Sequence, residues 1–347
     1  MKKYFNYFII FFSLNFLFSS LVQSADCNDI SGSTATFSTS CTDLDIDGDG
    51  SNVTINSGVT IDGTSDAVGF ANATNTTLTN NGTISSSGSR GLRTTTSATI
   101  NDLSNNGTIS AGGSSGIRND GTITTLTNTN TISATGGYGI YNITGATIGT
   151  ITNSGTISAG TSFGLRNNGA ATINTLTNSG TISADQSGLW NGGTITTLTN
   201  TSNIKALDGE FGLKNVKGTI GTLTNSGTIS ASGNYGLYND GTATITTLTN
   251  TGTISSSGNE IGIYNDSTIT TLNNSQGASS SALTYTGNLP TNYNVIVNST
   301  SDFGKTTFSD ASGTTTFGVH SSSTFAGSAT YSSVLSGLSS SDIASGT

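Results

Sequence analysis

Surface chemistry needs carboxylates, imidazoles, thiols or cations held close together, and this 347-residue sequence is sparing with all of them. Lys and Arg number 10, Asp and Glu 19, and His one. The densest acidic run is DLDIDGDG. Asp43, Asp45, Asp47 and Gly48 match the opening of an EF-hand calcium loop, in which oxygens at alternate positions converge on one ion. The twelfth position would be Thr54, where a bidentate Glu is needed. The competing reading is a strand that turns Leu44 and Ile46 inward and the aspartates outward, which leaves the three aspartates a weak metal candidate.

Other carboxylates are scattered. Asp185, Asp208, Glu210 and Glu260 follow a recurring GTIS-like phrase, in the variable stretch where a grafted site would sit, with Lys205 close to Asp208. A polysaccharide lyase or hydrolase would need such groups clustered, so this is the enzymatic alternative. His320 lacks the sequence context of a Ser-His-Asp triad. No catalytic residue and no cofactor is expected.

One column of residues has more to offer. The position after each Gly-Leu or Gly-Ile pair is filled by Arg93, Arg118, Tyr141, Arg166, Trp190, Lys214, Tyr238 and Tyr264. From Arg118 to Tyr238 cations and aromatics alternate. Stacked at one per repeat, they would either satisfy each other as cation–π pairs, at ~0.5–1 kcal/mol each, or present a strip that binds glycans or an acidic surface.

The elements that would position this strip follow from a period. The Leu or Ile of a TLTN-like block falls at Leu78, Leu103, Leu126, Ile151, Leu176, Leu198, Leu223, Leu248 and Leu272, at steps of 22 to 25 residues. Such a period marks a solenoid, whose single coils cannot bury an apolar face alone. Thr, Asn and 46 Gly make helix a poor choice and short strands with tight turns a good one. Ile precedes the marker by three residues (Ile123 to Leu126, Ile220 to Leu223), and an odd step between two buried strand residues requires a corner. The Ile of GTIS follows six after the marker and stays on the inner face. Two Asn columns, one closing the TLTN block (Asn128, Asn153, Asn178) and one after the GL pair (Asn142, Asn167, Asn191), are expected to hydrogen-bond between coils.

Residues 1–24 read as a secretory signal, with Lys2 and Lys3, an apolar run and small residues before a cut after Ser24. In an exported chain Cys27 and Cys41 are expected to form a disulfide. Residues 25–70 are expected as an N-terminal cap, 71–275 as eight or nine regular coils, and 276–347, with the only Pro and many rings, as a β-rich C-terminal cap. The net charge of −9 makes nucleic acid an unfavourable partner.

A signal, 22–25-residue coils and phrases such as LTNSGTISA at 176–184 and 223–231 resemble the passenger domains of autotransporters, surface proteins of Gram-negative bacteria. The resemblance implies an all-β, right-handed parallel β-helix, exported through the periplasm to the cell surface, acting as an adhesin or surface coat toward a glycan or other cell-surface ligand. It also implies outer-membrane attachment through a C-terminal barrel of roughly 200 or more residues, which would have to lie beyond Thr347.

Overall fold

The computed structural model describes residues 25–344. The expected signal segment, 1–24, lies outside them. The chain winds as a parallel β-solenoid of about 12 turns, with coils of about 24 residues and almost no helix. Three sheets run along it, with 14, 13 and 10 strands. We name them by the phrases they carry. A typical coil places Thr219–Asn225 in the TLTN sheet, Thr228–Ala231 in the TIS sheet and Tyr235–Asp240 in the GL sheet. Every named strand pair is parallel and joins one coil to the next. At ~4.8 Å per coil the rod is roughly 55–60 Å long.

The odd Ile-to-Leu step is resolved inside one strand. Ile123 pairs with Ile148 and Thr125 with Thr150, and the register passes over Thr124 and Gly149. The strand bends there, so both Ile123 and Leu126 turn inward and neither is exposed. Leu126, Ile151, Leu176 and Leu198 stand in register on successive coils, fully buried. The TIS and GL sheets add their own aliphatic columns, such as Ile157, Ile182 and Ile204, and Leu165, Leu189 and Leu213. Like side chains lie over like, so the core repeats itself along the axis.

The two Asn columns are interior ladders. Asn153 Nδ2 donates to Asn178 Oδ1 at 2.7 Å, Asn178 to Asn200 at 2.8 Å, and Asn200 to Asn225 at 2.8 Å. Each amide also turns a corner, as when Asn178 Nδ2 donates to the carbonyl of Gly180 at 3.2 Å and to that of Asn203 on the next coil at 3.0 Å. The second ladder runs from Asn119 to Asn265 in the same manner. These amides lie at zero exposure, a site where a polar group is tolerated because it is fully hydrogen-bonded.

Both expected caps turn out to be coiled. Ile30–Ser31, Thr34–Phe37 and Cys41–Thr42 already open the three sheets, so the stack is longer than the repeated phrases alone indicate. Irregular sequence hid these coils, because inward Val53, Ile55, Ile61 and Val68 preserve the burial pattern without the phrases. Cys27 and Cys41 are disulfide-bonded, with Cα atoms 5.1 Å apart, and close the first coil.

At the other end the TIS sheet stops at Thr253–Ser256. The side chain of Gln276 takes the place of a next strand: Oε1 accepts from Ile254 N at 2.8 Å and Nε2 donates to Ile254 O at 3.4 Å. The GL and TLTN sheets continue through Leu283–Asn288 and Asn292–Val295. There the core changes from aliphatic to aromatic. Tyr285 and Tyr293 are fully buried, and large rings fill the width that three sheets had enclosed.

Candidate binding face

The column after the GL pair is a true ladder. Arg93, Arg118, Tyr141, Arg166, Trp190, Lys214, Tyr238 and Tyr264 pair one to the next along the GL sheet, all half-buried on its outer face. The structure adds a second outward column that strict alternation conceals. Three residues before Tyr141, Arg166, Lys214 and Tyr238 stand Tyr138, Phe163, Phe211 and Tyr235. An odd step should send them to the opposite face. Instead the register runs Tyr138 to Phe163 and then Ile140 to Leu165, passing over Gly139 and Gly164. The glycine takes the inner position and both flanking rings stay outside. A Cβ on Gly139 would meet Gly164 O at 2.5 Å and Ile157 Cγ2 at 2.8 Å, so only glycine fits this bulge. The signal that could have revealed the column was in plain view: a ring recurring before the glycine, at the same odd step already interpreted in the TIT blocks.

The face divides into three zones. At the N-terminal end the cations are neutralised. Arg90 pairs with Asp66, and Arg93 and Arg118 share Asp120 at 3.2 and 2.6 Å, with the Asp120 side chain only 5% exposed. In the middle, the Arg166 guanidinium lies among four rings, at 4.7 Å from Trp190, 5.3 Å from both Tyr138 and Tyr141, and 5.7 Å from Phe163. It donates to Tyr138 Oη at 2.7 Å and to Asn168 Oδ1 at 3.3 Å, and its buried Nε has no partner. Toward the C-terminal end, Lys214 Nζ sits 4.5 Å from the Phe211 ring and 5.4 Å from that of Tyr238. Phe211, Tyr235, Tyr238 and Tyr264 pack at centroid distances of 4.8 to 5.9 Å. Burial and the Asp240 carboxylate, which accepts from Tyr238 Oη at 3.1 Å, push the Tyr238 hydroxyl up, so it stays a neutral donor. Among the described residues neither Arg166 nor Lys214 enters an ion pair.

Between the middle and C-terminal clusters lies a cleft of about 260 Å³. Phe163 and Trp190 form one wall, Phe211 and Lys214 the other, with Ser187 at the base and Gln186 and Glu210 on the rim. A second cleft, of about 480 Å³, opens where the TIS sheet ends and holds Glu260 beside Gln276 and Thr284.

The remaining candidates are dispersed. Asp45 and Asp47 lie along a strand, Leu44–Asp47, whose Leu44 and Ile46 are buried, and Thr54 belongs to the strand of the following coil. Asp43 is a corner residue with φ 50°. Extended backbone spreads the three carboxylates that an EF-hand loop would gather. Among the described residues no three His, Cys, Asp or Glu side chains converge as an ion site. Partial burial, reinforced by Asp29, Asp47 and Asp43, holds the Asp45 carboxyl above the ordinary carboxylate value. Lys205 sits in the TIS sheet, in register with Ser183 and Ser230, and among the described residues forms no ion pair with Asp208 or Glu210. His320 Nδ1 lies 2.8 Å from Ser322 Oγ.

No family profile matches the chain, and neither a curated protein nor a solved structure was found to be similar to it.

Proposed function

We propose that this chain is an exported, non-enzymatic β-solenoid of the autotransporter-passenger type, which works at a bacterial cell surface in attachment or as a coat and binds glycans through the outer face of its GL sheet. The observation that carries the reading is the unequal treatment of the cations. Arg90, Arg93 and Arg118 are matched by Asp66 and Asp120, whereas Arg166 and Lys214 stand among half-buried and buried rings and, among the described residues, enter no ion pair. Rings stack on the C–H faces of sugars, and unpaired N–H groups donate to their hydroxyls.

A glycan-array screen of the mature chain tests this, alongside Trp190→Ala and Arg166→Ala. Binding that falls in both variants supports the reading. No ligand on the array, or binding unchanged in both, removes it. The contacts among Tyr235, Tyr238 and Tyr264 favour a second reading, a bare structural rod whose outer rings only brace the coils. That reading predicts a lower melting temperature in the variants and no ligand.

A further inference from the structure

The aromatic column on the GL face has a gap. Phe163 pairs with Ser187, and Ser187 with Phe211, so a hydroxymethyl stands where the coils on either side carry a phenyl ring. The two phenyl rungs are two coils apart, roughly 9.6 Å along the axis at ~4.8 Å per coil. Trp190, on the Ser187 coil, stacks on Phe163 at 6.0 Å, and Lys214 Nζ lies 4.5 Å from the Phe211 ring, so these two pairs bound what stays open. The cleft is that gap.

Its polar lining is unspent. Among the described residues, Ser187 Oγ, the Gln186 amide, the Glu210 carboxylate and the Lys214 ammonium make no hydrogen bond or ion pair to protein. Some polar side chains elsewhere along this rod are bonded coil to coil, as in Ser85 to Asp62 at 2.7 Å and Thr74 to Asp49 at 2.8 Å. Here donors and acceptors ring a slot with aromatic walls.

We infer that the Ser187 cleft is a subsite for one neutral pyranose ring, held between the Phe163–Trp190 wall and the Phe211–Lys214 wall with its hydroxyls toward Gln186, Glu210 and Lys214. This deepens, and rests on, the glycan-binding reading above. Its volume lies below the ~300–1,000 Å³ of sites that engulf larger ligands, which suits a single ring. A purely apolar group would use the walls and leave the polar groups of Gln186, Glu210 and Lys214 unused. A pyranose offers C–H faces to the rings and an edge of hydroxyls that donate to the carboxylate and accept from the ammonium. A uronic acid would bring its charge toward Glu210, with Asp208 two residues away and Asp185 on the preceding coil.

The chain's single tryptophan, Trp190, forms part of the wall, so its fluorescence reports on occupancy. The mature chain is titrated with the methyl glycosides of glucose, galactose, mannose and glucuronic acid. The expected result is a saturable change with at least one neutral glycoside in the millimolar range. The glucuronide should bind more weakly. Ser187→Phe, which fills the gap with the ring its neighbours carry, should weaken binding about tenfold or more, and Glu210→Gln, on the exposed rim, by several-fold. Circular dichroism melts establish that both variants are folded, and Glu210→Gln carries the test should Ser187→Phe not be. The assignment is overturned by equal affinity in wild type and folded variants, by no saturation with any neutral glycoside, or by preference for the glucuronide. Array binding that survives Ser187→Phe would overturn the cleft and keep the glycan reading, whereas absence of all glycan binding would remove both.

Discussion

Asn178 accepts a hydrogen bond from Asn153 and passes one to Asn200, and none of the three side chains touches water. The amide thereby serves three coils at once, since its nitrogen also donates to the carbonyls of Gly180 and Asn203. Removing it strands the side-chain oxygen of Asn200 and takes one of its donors from the carbonyl oxygen of Asn203, both of which accept from its Nδ2. A buried group left without its partner costs about 1–3 kcal/mol.

Asn178→Ala is therefore expected to lower unfolding stability by roughly 2–4 kcal/mol. Thr177→Ala, on the outer face of the same strand, should change it by less than about 0.5 kcal/mol. Chemical denaturation of the two variants checks the contrast, and equal effects would mean that the ladder is not what joins these coils.

The disulfide closes the first coil, and in a stack where each coil touches only its neighbours its influence should stay local. Cross-linking a loop of this size removes about 3 kcal/mol of freedom from the unfolded ensemble. Cys27→Ser with Cys41→Ser is expected to speed amide exchange in the strands Ile30–Ser31, Thr34–Phe37 and Leu44–Asp47. Exchange at Thr172–Asn178, in the middle of the rod, should be unchanged. Hydrogen exchange read by mass spectrometry distinguishes this from global unfolding.

Asp45 should make the N-terminal coils less stable at neutral pH than in mild acid. Its folded carboxyl holds a proton more tightly than the unfolded one, because of partial burial and the neighbouring aspartates. The penalty is fully present above the raised folded value. It is relieved as pH falls through that value and is gone below the ordinary carboxylate value. Asp45→Asn is thus expected to raise the melting temperature at pH 7 and to lose that advantage near pH 3.5. An equal gain at both values would show that charge is not the cause.

Much of the architecture was legible because the physics is one-dimensional. A fixed step of 22 to 25 residues between Leu126, Ile151, Leu176 and Leu198 can bury those side chains only if the coils stack, and the Asn phrases then fall in line with each other. The outward ladder from Arg93 to Tyr264 followed from the same register. The number of coils did not, since those around Val53, Ile61 and Tyr293 keep the burial pattern but not the wording.

What the stack alone decided concerns which groups become neighbours across coils. Sequence places Phe163 and Phe211 far apart, with Ser187 an unremarked residue between them; register sets them on either side of it. The glycine bulge turned Tyr138 and its counterparts outward, because pairing that passes over one residue reverses the parity on which a strand reading depends. Likewise the pairing of Arg93 and Arg118 with one buried Asp120, which leaves Arg166 and Lys214 as the cations of this column that enter no ion pair among the described residues, depends on distances across coils. Periodicity fixes which residues turn inward, and contact across coils fixes what the outer face can hold.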